Sequence, residues 1–280
     1  MTTALNKQPN GTIELTITIP YVDVKKVWDE VVDKAVKNAE IKGFRKGKAP
    51  KNLVEGQLDK EKIREEVLKK LLPVSYAEAL KTHSINPIIS PKIHVNKLED
   101  PTGETGKDWQ FVALTCEKPI VKLENYKEAI KKITAKSKIV IPGKEPQAPK
   151  FEDIVKVLLE TVNIVIPEIL IENETDRLLS QTLDEVKRLG LTLDQYLSST
   201  GRNPQGLREE YKKKAENDIK LEFALQKIAE SEKITVEEKE IEEAILKAKN
   251  EDEKKNLQSN RYLLASILRQ QKTLDFLKNL

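Results

Sequence analysis

From Phe151 to the last residue, apolar side chains return every three or four positions almost without a break, a period that fits helices packed on helices. Ile154, Val155, Leu158 and Val162 make the first stripe. Pro167 stands where a second helix opens, at its first helical position, and Leu178, Leu179, Leu183 and Val186 continue it. Gly190 reads as the residue just past its end. Three more helix starts are written in capping chemistry: Thr192 with Gln195, Asn203 before Pro204, and Thr235 with Glu238 ahead of Ile241 and Ile245. The last segment carries Tyr262, Leu263, Ile267, Leu268, Leu274 and Leu277 as a stripe that needs a partner. Antiparallel helices joined by short turns follow. A closed bundle and an open cradle both use such stripes, and only exposure tells them apart.

The front of the chain has a different period. In GTIELTITIP, Ile13, Leu15, Ile17 and Ile19 alternate with polar residues as in a half-buried strand that Pro20 ends. Asp23 is placed to cap a helix whose stripe is Val24, Val27, Trp28, Val31, Ala35 and Ala39. A second helix is expected over 60–81, with Ile63, Val67, Leu68, Leu71 and Leu72 inward and Pro73 kinking or dividing it. KIHVNKLE and DWQFVALTCE flank the turn-rich DPTGETGK, the pattern of an antiparallel hairpin. Trp28 and Trp109 read as anchors of this small α+β domain, which ends near Glu117. The expected organisation is therefore an α+β domain over 1–117, a connector with one short helix over 118–150, and an all-α domain over 151–280. Helix dominates, in keeping with 34% charged and 5% aromatic residues.

Charge is distributed unevenly. Residues 1–116 hold 19 Lys and Arg against 16 Asp and Glu, 117–150 hold 9 against 4, and 151–280 hold 21 against 26. That suggests a polyanionic partner for the front and another task for the back. A single cysteine, Cys116, excludes an intrachain disulfide. Without an apolar leader or a membrane-length apolar run, a soluble cytoplasmic protein is expected.

The most informative stretch lies between the first two helices: IKGFRKGKAP, residues 41–50. Gly43 and Gly47 permit tight turns, Pro50 limits re-entry into helix, and Phe44 is an aromatic displayed in a loop. Lys37, Lys42, Arg45, Lys46, Lys48 and Lys51 face only Glu40 between residues 37 and 51, which suits phosphates or an acidic surface. On charge alone, a solvated turn reads as well. A nucleotide-binding P-loop does not fit, since Gly43 to Lys48 is one residue short and Ala49 replaces the metal-binding hydroxyl.

Other chemistry-bearing residues have ordinary explanations. His83 and His94, with one cysteine, make neither a dense metal site nor a persuasive triad. Cys116 reads as a small core residue at a strand end. Glu65-Glu66 and Glu209-Glu210 belong to charged helices, where a solvated face is the usual role. No catalytic, metal or cofactor site is assigned.

GFRKGKAP is similar to the ribosome-binding signature of bacterial trigger factor, carried in that family on a loop between two helices. The resemblance extends through ELTITIP, the helices on either side and INPIISPKI. It resumes in IVIPEILIENETDRLL, LTLDQYLSSTG, KAENDIKLEFALQKIAESEKITV and KTLDFLKNL, which resemble successive helices of the family's chaperone module. The resemblance implies an ATP-independent chaperone that docks on the large ribosomal subunit near the nascent-chain exit, on ribosomal protein and on ribosomal RNA, and holds nascent or unfolded polypeptides. It implies docking residues Gly43, Phe44, Arg45, Lys46, Gly47, Lys48 and Pro50. Family members commonly insert an FKBP-class isomerase domain between the two blocks; residues 118–149 are too few for one, so prolyl isomerase activity is not expected. A homodimer is left open. The competing class is an RNA-binding or ribosome-assembly protein that uses the helices as scaffold.

Overall fold

The computed structural model describes residues 1–40, 44, 50, 53–54, 56–99, 101, 106–137, 150–248 and 250–280. Contacts divide the chain into two units, Met1–Lys118 and Pro119–Leu280.

The first unit is built on a four-stranded antiparallel sheet of β1 (Thr2–Lys7), β2 (Thr12–Ile19), β3 (Lys92–Lys97) and β4 (Trp109–Cys116), in the order β1-β2-β4-β3. Register sets Leu15 opposite Ala113, Ile17 opposite Phe111 and Ile19 opposite Trp109, so one face is continuously apolar. Helices α1 (Tyr21–Asn38) and α2 (Lys60–His83) cover it with Val24, Trp28, Val31, Ile63 and Val67. Both tryptophans lie in this core, and the Trp109 indole N–H donates to the Glu99 carbonyl at 2.7 Å.

Three details differ from the sequence reading. Helix α1 starts at Tyr21 rather than after Asp23, which sits in its first turn; the Tyr21 N–H donates to Asp108 Oδ1 at 2.8 Å, a cap supplied from the approach to β4. Helix α2 is not divided at Pro73, which sits exposed within its Lys60–His83 span. Strand β1 is added at the sheet edge, joined to β2 through a turn in which Gly11 has φ of 81°.

The second unit begins inside the expected connector. Strand β5 (Val121–Leu123) pairs antiparallel with β6 (Val162–Ile164), a short ribbon added to the otherwise helical architecture. Helix α3 (Tyr126–Ser137) packs against α4 (Phe151–Thr161), the long α7 (Pro204–Ser231) and α10 (Arg261–Lys278), enclosing Tyr126, Ile130, Ile154, Leu158, Ile228 and Leu277. The Tyr126 hydroxyl donates to Glu232 Oε1 at 2.9 Å, and Lys127 reaches the same oxygen at 2.7 Å.

Helices α5 (Glu168–Arg188) and α7 form a hairpin over Ile171, Leu178, Ala215 and Ile219, with α6 (Leu193–Thr200) between them in sequence. Pro167 is the N-cap of α5, one position earlier than expected. Gly190 follows the helix with φ of 73°. Thr192 and Gln195 form the expected reciprocal capping box, and the Asn203 side chain accepts the Gly206 N–H at the start of α7. Helix α8 (Glu238–Leu246) is capped at Glu237, whose N–H donates to Glu240, and not at Thr235, whose carbonyl instead accepts Lys272 Nζ at 2.8 Å. A break at Asn260 separates α9 (Glu251–Ser259) from α10. Ile241, Ile245 and Leu264 form the third small core. No helix among the described residues is long and apolar enough to cross a membrane.

Candidate functional site

The stripe of helix α10 fits a closed bundle or an open cradle by sequence, and the structure buries only part of it. Leu264 and Leu277 are buried, and Leu268 and Leu274 are packed at core margins. Tyr262, Leu263 and Ile267 stand 91%, 60% and 51% exposed. An apolar cluster left in water is a cost to folding that a closed bundle would have avoided. Beside it, α7, α10 and the segment before α8 line a cleft of about 610 Å3. Its apolar lining includes Leu225, Ala229, Val236 and Leu263; Glu222, Gln226, Arg269 and Gln270 contribute polar groups. The Arg269 guanidinium is anchored by Nε–H donation to the Ile234 carbonyl at 2.9 Å. Such a surface offers apolar contact and amide hydrogen bonding without selecting one side chain.

A second exposed apolar group, which the sequence reading did not single out, lies between α5 and α6: Leu189, Leu191 and Leu193, at 74%, 40% and 37% exposure. The signal was present in Leu-Gly-Leu-Thr-Leu, where a helix end and the next capping box follow too closely for these leucines to be buried. The Leu191 N–H bonds back to the Val186 carbonyl, closing the helix and leaving the turn outside.

In the basic loop, Phe44 is 44% exposed and Pro50 is also exposed. The Pro50 carbonyl accepts the N–H groups of Leu53 and Val54, and Val54 is buried, fastening the returning limb. Helix α1 ends at Asn38 and α2 starts at Lys60, capped by the Asp59 side chain, so the signature falls between two helices. Gly43, Arg45, Lys46, Gly47 and Lys48 lie outside the described residues.

The remaining candidates have structural partners. His83 Nε2 meets Thr3 Oγ1 at 3.0 Å, joining α2 to β1. His94 is an exposed residue of β3. Cys116 is fully buried, and burial pushes its thiol up to about 11. Glu66 pairs with Lys69 at 3.1 Å and Glu210 with Arg202 at 3.0 Å, both at the surface. Among the described residues no cluster of His, Cys, Asp or Glu is arranged for a metal ion.

A sheet-and-helix unit with a basic interhelical loop, followed by a helical unit with uncovered apolar surface, defines a class of protein built for contact. A family model described as bacterial trigger factor protein matches residues 1–145, and one described as its C-terminus matches residues 122–279. The chain belongs to the bacterial trigger factor family. The two matches overlap over 122–145 and leave no unmatched segment between them. The trigger factors of Staphylococcus epidermidis and Staphylococcus carnosus are each 35% identical over 127 residues, covering 45% of this chain and 28% of theirs. A structure solved under the description "Promiscuous Substrate Recognition in Folding and Assembly Activities of the Trigger Factor Chaperone" aligns with a TM-score of 0.65 and 16% identity, covering 100% of this chain and 99% of that one. That likeness bears on the fold.

Proposed function

We propose that this chain is a chaperone that binds unfolded or nascent polypeptides without nucleotide and docks on the large ribosomal subunit near the exit tunnel. The observation that carries the reading is the uncovered apolar face of α10 beside the adjoining cleft. Holding works by shielding apolar client segments long enough to slow aggregation, through contacts weak enough to release them. A surface of Tyr262, Leu263 and Ile267, with glutamines and one anchored arginine nearby, suits brief contact with many sequences.

The docking role is assigned to the first unit through Gly43, Phe44, Arg45, Lys46, Gly47, Lys48 and Pro50, and the holding role to the second unit, whose core takes in Val121, Tyr126 and Ile130 of the expected connector, with no isomerase domain assigned between the two. Phe44, exposed where the loop leaves α1, suits an apolar anchor flanked by cations. Light scattering of an aggregating client at molar excess of this protein tests holding: suppression is expected, and the triple variant Tyr262→Ser/Leu263→Ser/Ile267→Ser should lose most of it. Aggregation that proceeds unslowed by the native chain would refute the reading. Co-sedimentation with ribosomes tests docking: Phe44→Ala/Arg45→Ala/Lys46→Ala should abolish it, and added salt should weaken native binding. Unchanged binding by that variant would overturn the assigned residues.

A further inference from the structure

The first unit leaves a cleft open at the edge of its sheet. Strand β3 pairs with β4 on one side, and among the described residues its other edge meets no strand. Ile93 lies opposite Ala113 and Val95 opposite Phe111, which puts both on the helix-covered face, yet Val95 is 47% exposed. Helix α2 does not close that side. Leu68, Leu72, Pro73 and Tyr76 of α2, with Pro91 and Ile93, line a cleft of about 640 Å3, a size typical of ligand sites. The Tyr76 hydroxyl is buried and makes no hydrogen bond of good geometry.

We infer that this cleft takes an extended apolar peptide, which adds to β3 as a fifth strand of the sheet. The inference rests on the reading of the chain as a polypeptide-binding protein and locates a contact in the first unit. A strand laid along β3 sends alternate side chains toward the helix-covered face, where the cleft is, and the others to the open face. Its amides meet the N–H and C=O groups that an edge strand turns outward. Strand β3 reads KIHVNK, with Lys97 at its far end and no acid, while Glu65 and Lys69 of α2 balance each other in the cleft lining, so the fitting peptide has apolar residues at alternate positions and acidic ends, one of which meets Lys97 in either strand direction. The end lysines and the register shift between Val95 and Lys97 confine regular pairing to Lys92–Val95 and oppose pairing with a second copy of the same basic strand.

The test uses the full chain and a fluorescein-labelled peptide of about eight residues, alternating Val and Thr with Asp at each end. Anisotropy should report saturable binding, weakened roughly tenfold or more by Ile93→Lys and retained by Tyr262→Ser/Leu263→Ser/Ile267→Ser. Because Ile93→Lys changes the protein, a second arm changes only the probe. N-methylation of alternate amides along one edge of the peptide should abolish binding, while N-methylation along the other edge should leave it. Equal tolerance of both N-methylated peptides would overturn strand addition. Binding lost in the α10 variant and kept in Ile93→Lys would place the peptide in the second unit and overturn the inference while sparing the chaperone reading. Release of a dimer to monomer by the peptide would make a second copy the native occupant and also overturn it. Failure of the native chain to slow client aggregation would instead strike the underlying reading.

Discussion

Replacing Tyr126 tests whether the segment before residue 150 is part of the second unit's core. The ring is 5% exposed among Ile130, Ile154, Leu158 and Ile228, and its hydroxyl donates to Glu232, just beyond the C-terminal end of α7. Removing a large buried aromatic costs about 3–5 kcal/mol through lost burial and the cavity left behind. Tyr126→Phe keeps the ring. Glu232, 20% exposed, retains Lys127 and can take water, so the lost hydrogen bond costs only about 1 kcal/mol. For a unit of this size about 1 kcal/mol moves the midpoint by about 2–4 °C, which predicts a drop of about 6–20 °C for Tyr126→Ala and about 2–4 °C for Tyr126→Phe. Scanning calorimetry on the full chain should show the drop in one transition, with the transition of Met1–Lys118 unmoved. If Tyr126→Ala leaves both transitions in place, α3 is not packed as described and the reasoning fails.

Glu117 accepts the Asn86 N–H at 3.0 Å and Lys7 Nζ at 3.2 Å, and chiefly the Asn86 bond holds its carboxyl below the usual 4.5. A carboxyl lowered in the folded state stabilises above its unfolded value and loses that contribution as pH falls through the folded one. At 34% exposure this is under about 1 kcal/mol. Chemical denaturation should therefore show the native chain more stable than Glu117→Gln near neutrality, with the difference fading as pH falls below the usual 4.5 and through the lowered folded value; a constant difference would refute the ionic origin. Thr192→Ala removes the capping box and should cost about 1 kcal/mol, read as faster amide exchange in α6, whereas unchanged protection there would count against the cap. A refolding assay limited by an X-Pro bond should show no acceleration by this chain; acceleration that scales with concentration and survives repurification would mean that an isomerase site was missed.

What was legible in the sequence was whatever one stretch of chain decides by itself. The alternation of Ile13 to Ile19, the hairpin of β3 and β4, and the caps at Thr192 and Asn203 are local patterns, and the structure contains them. Features settled by distant partners were not legible. Strand β1, TTALNK, has one large apolar residue and exists through pairing with β2. The cap of α1 comes from Asp108, 87 residues away. Strand β5 is three residues long, and α3 spaces Tyr126 and Ile130 helically but dilutes them with lysine, so both read as connector until α4 and α7 are folded against them. In the candidate site, the leucines and tyrosine of α10 were visible as a stripe, while the division into buried Leu264 and exposed Tyr262 depends on where α7 and α8 lie. In the basic loop between α1 and α2, residue type and spacing were readable and orientation was not, because glycine and lysine have no strong preference for one conformation.

Cys116 gives the first unit a built-in clock. Its thiol is sealed at the end of β4 and held almost entirely protonated at neutral pH, so a thiol reagent finds no target while the unit stays closed. Labelling must wait for the strand to come free. When reclosing outpaces reaction, the labelling rate reports how often the sheet parts, and when reaction outpaces reclosing, it reports how fast. As the chain's one cysteine, it makes each labelled molecule a record of a single opening event in a known place, readable by mass alone while the second unit goes unmarked.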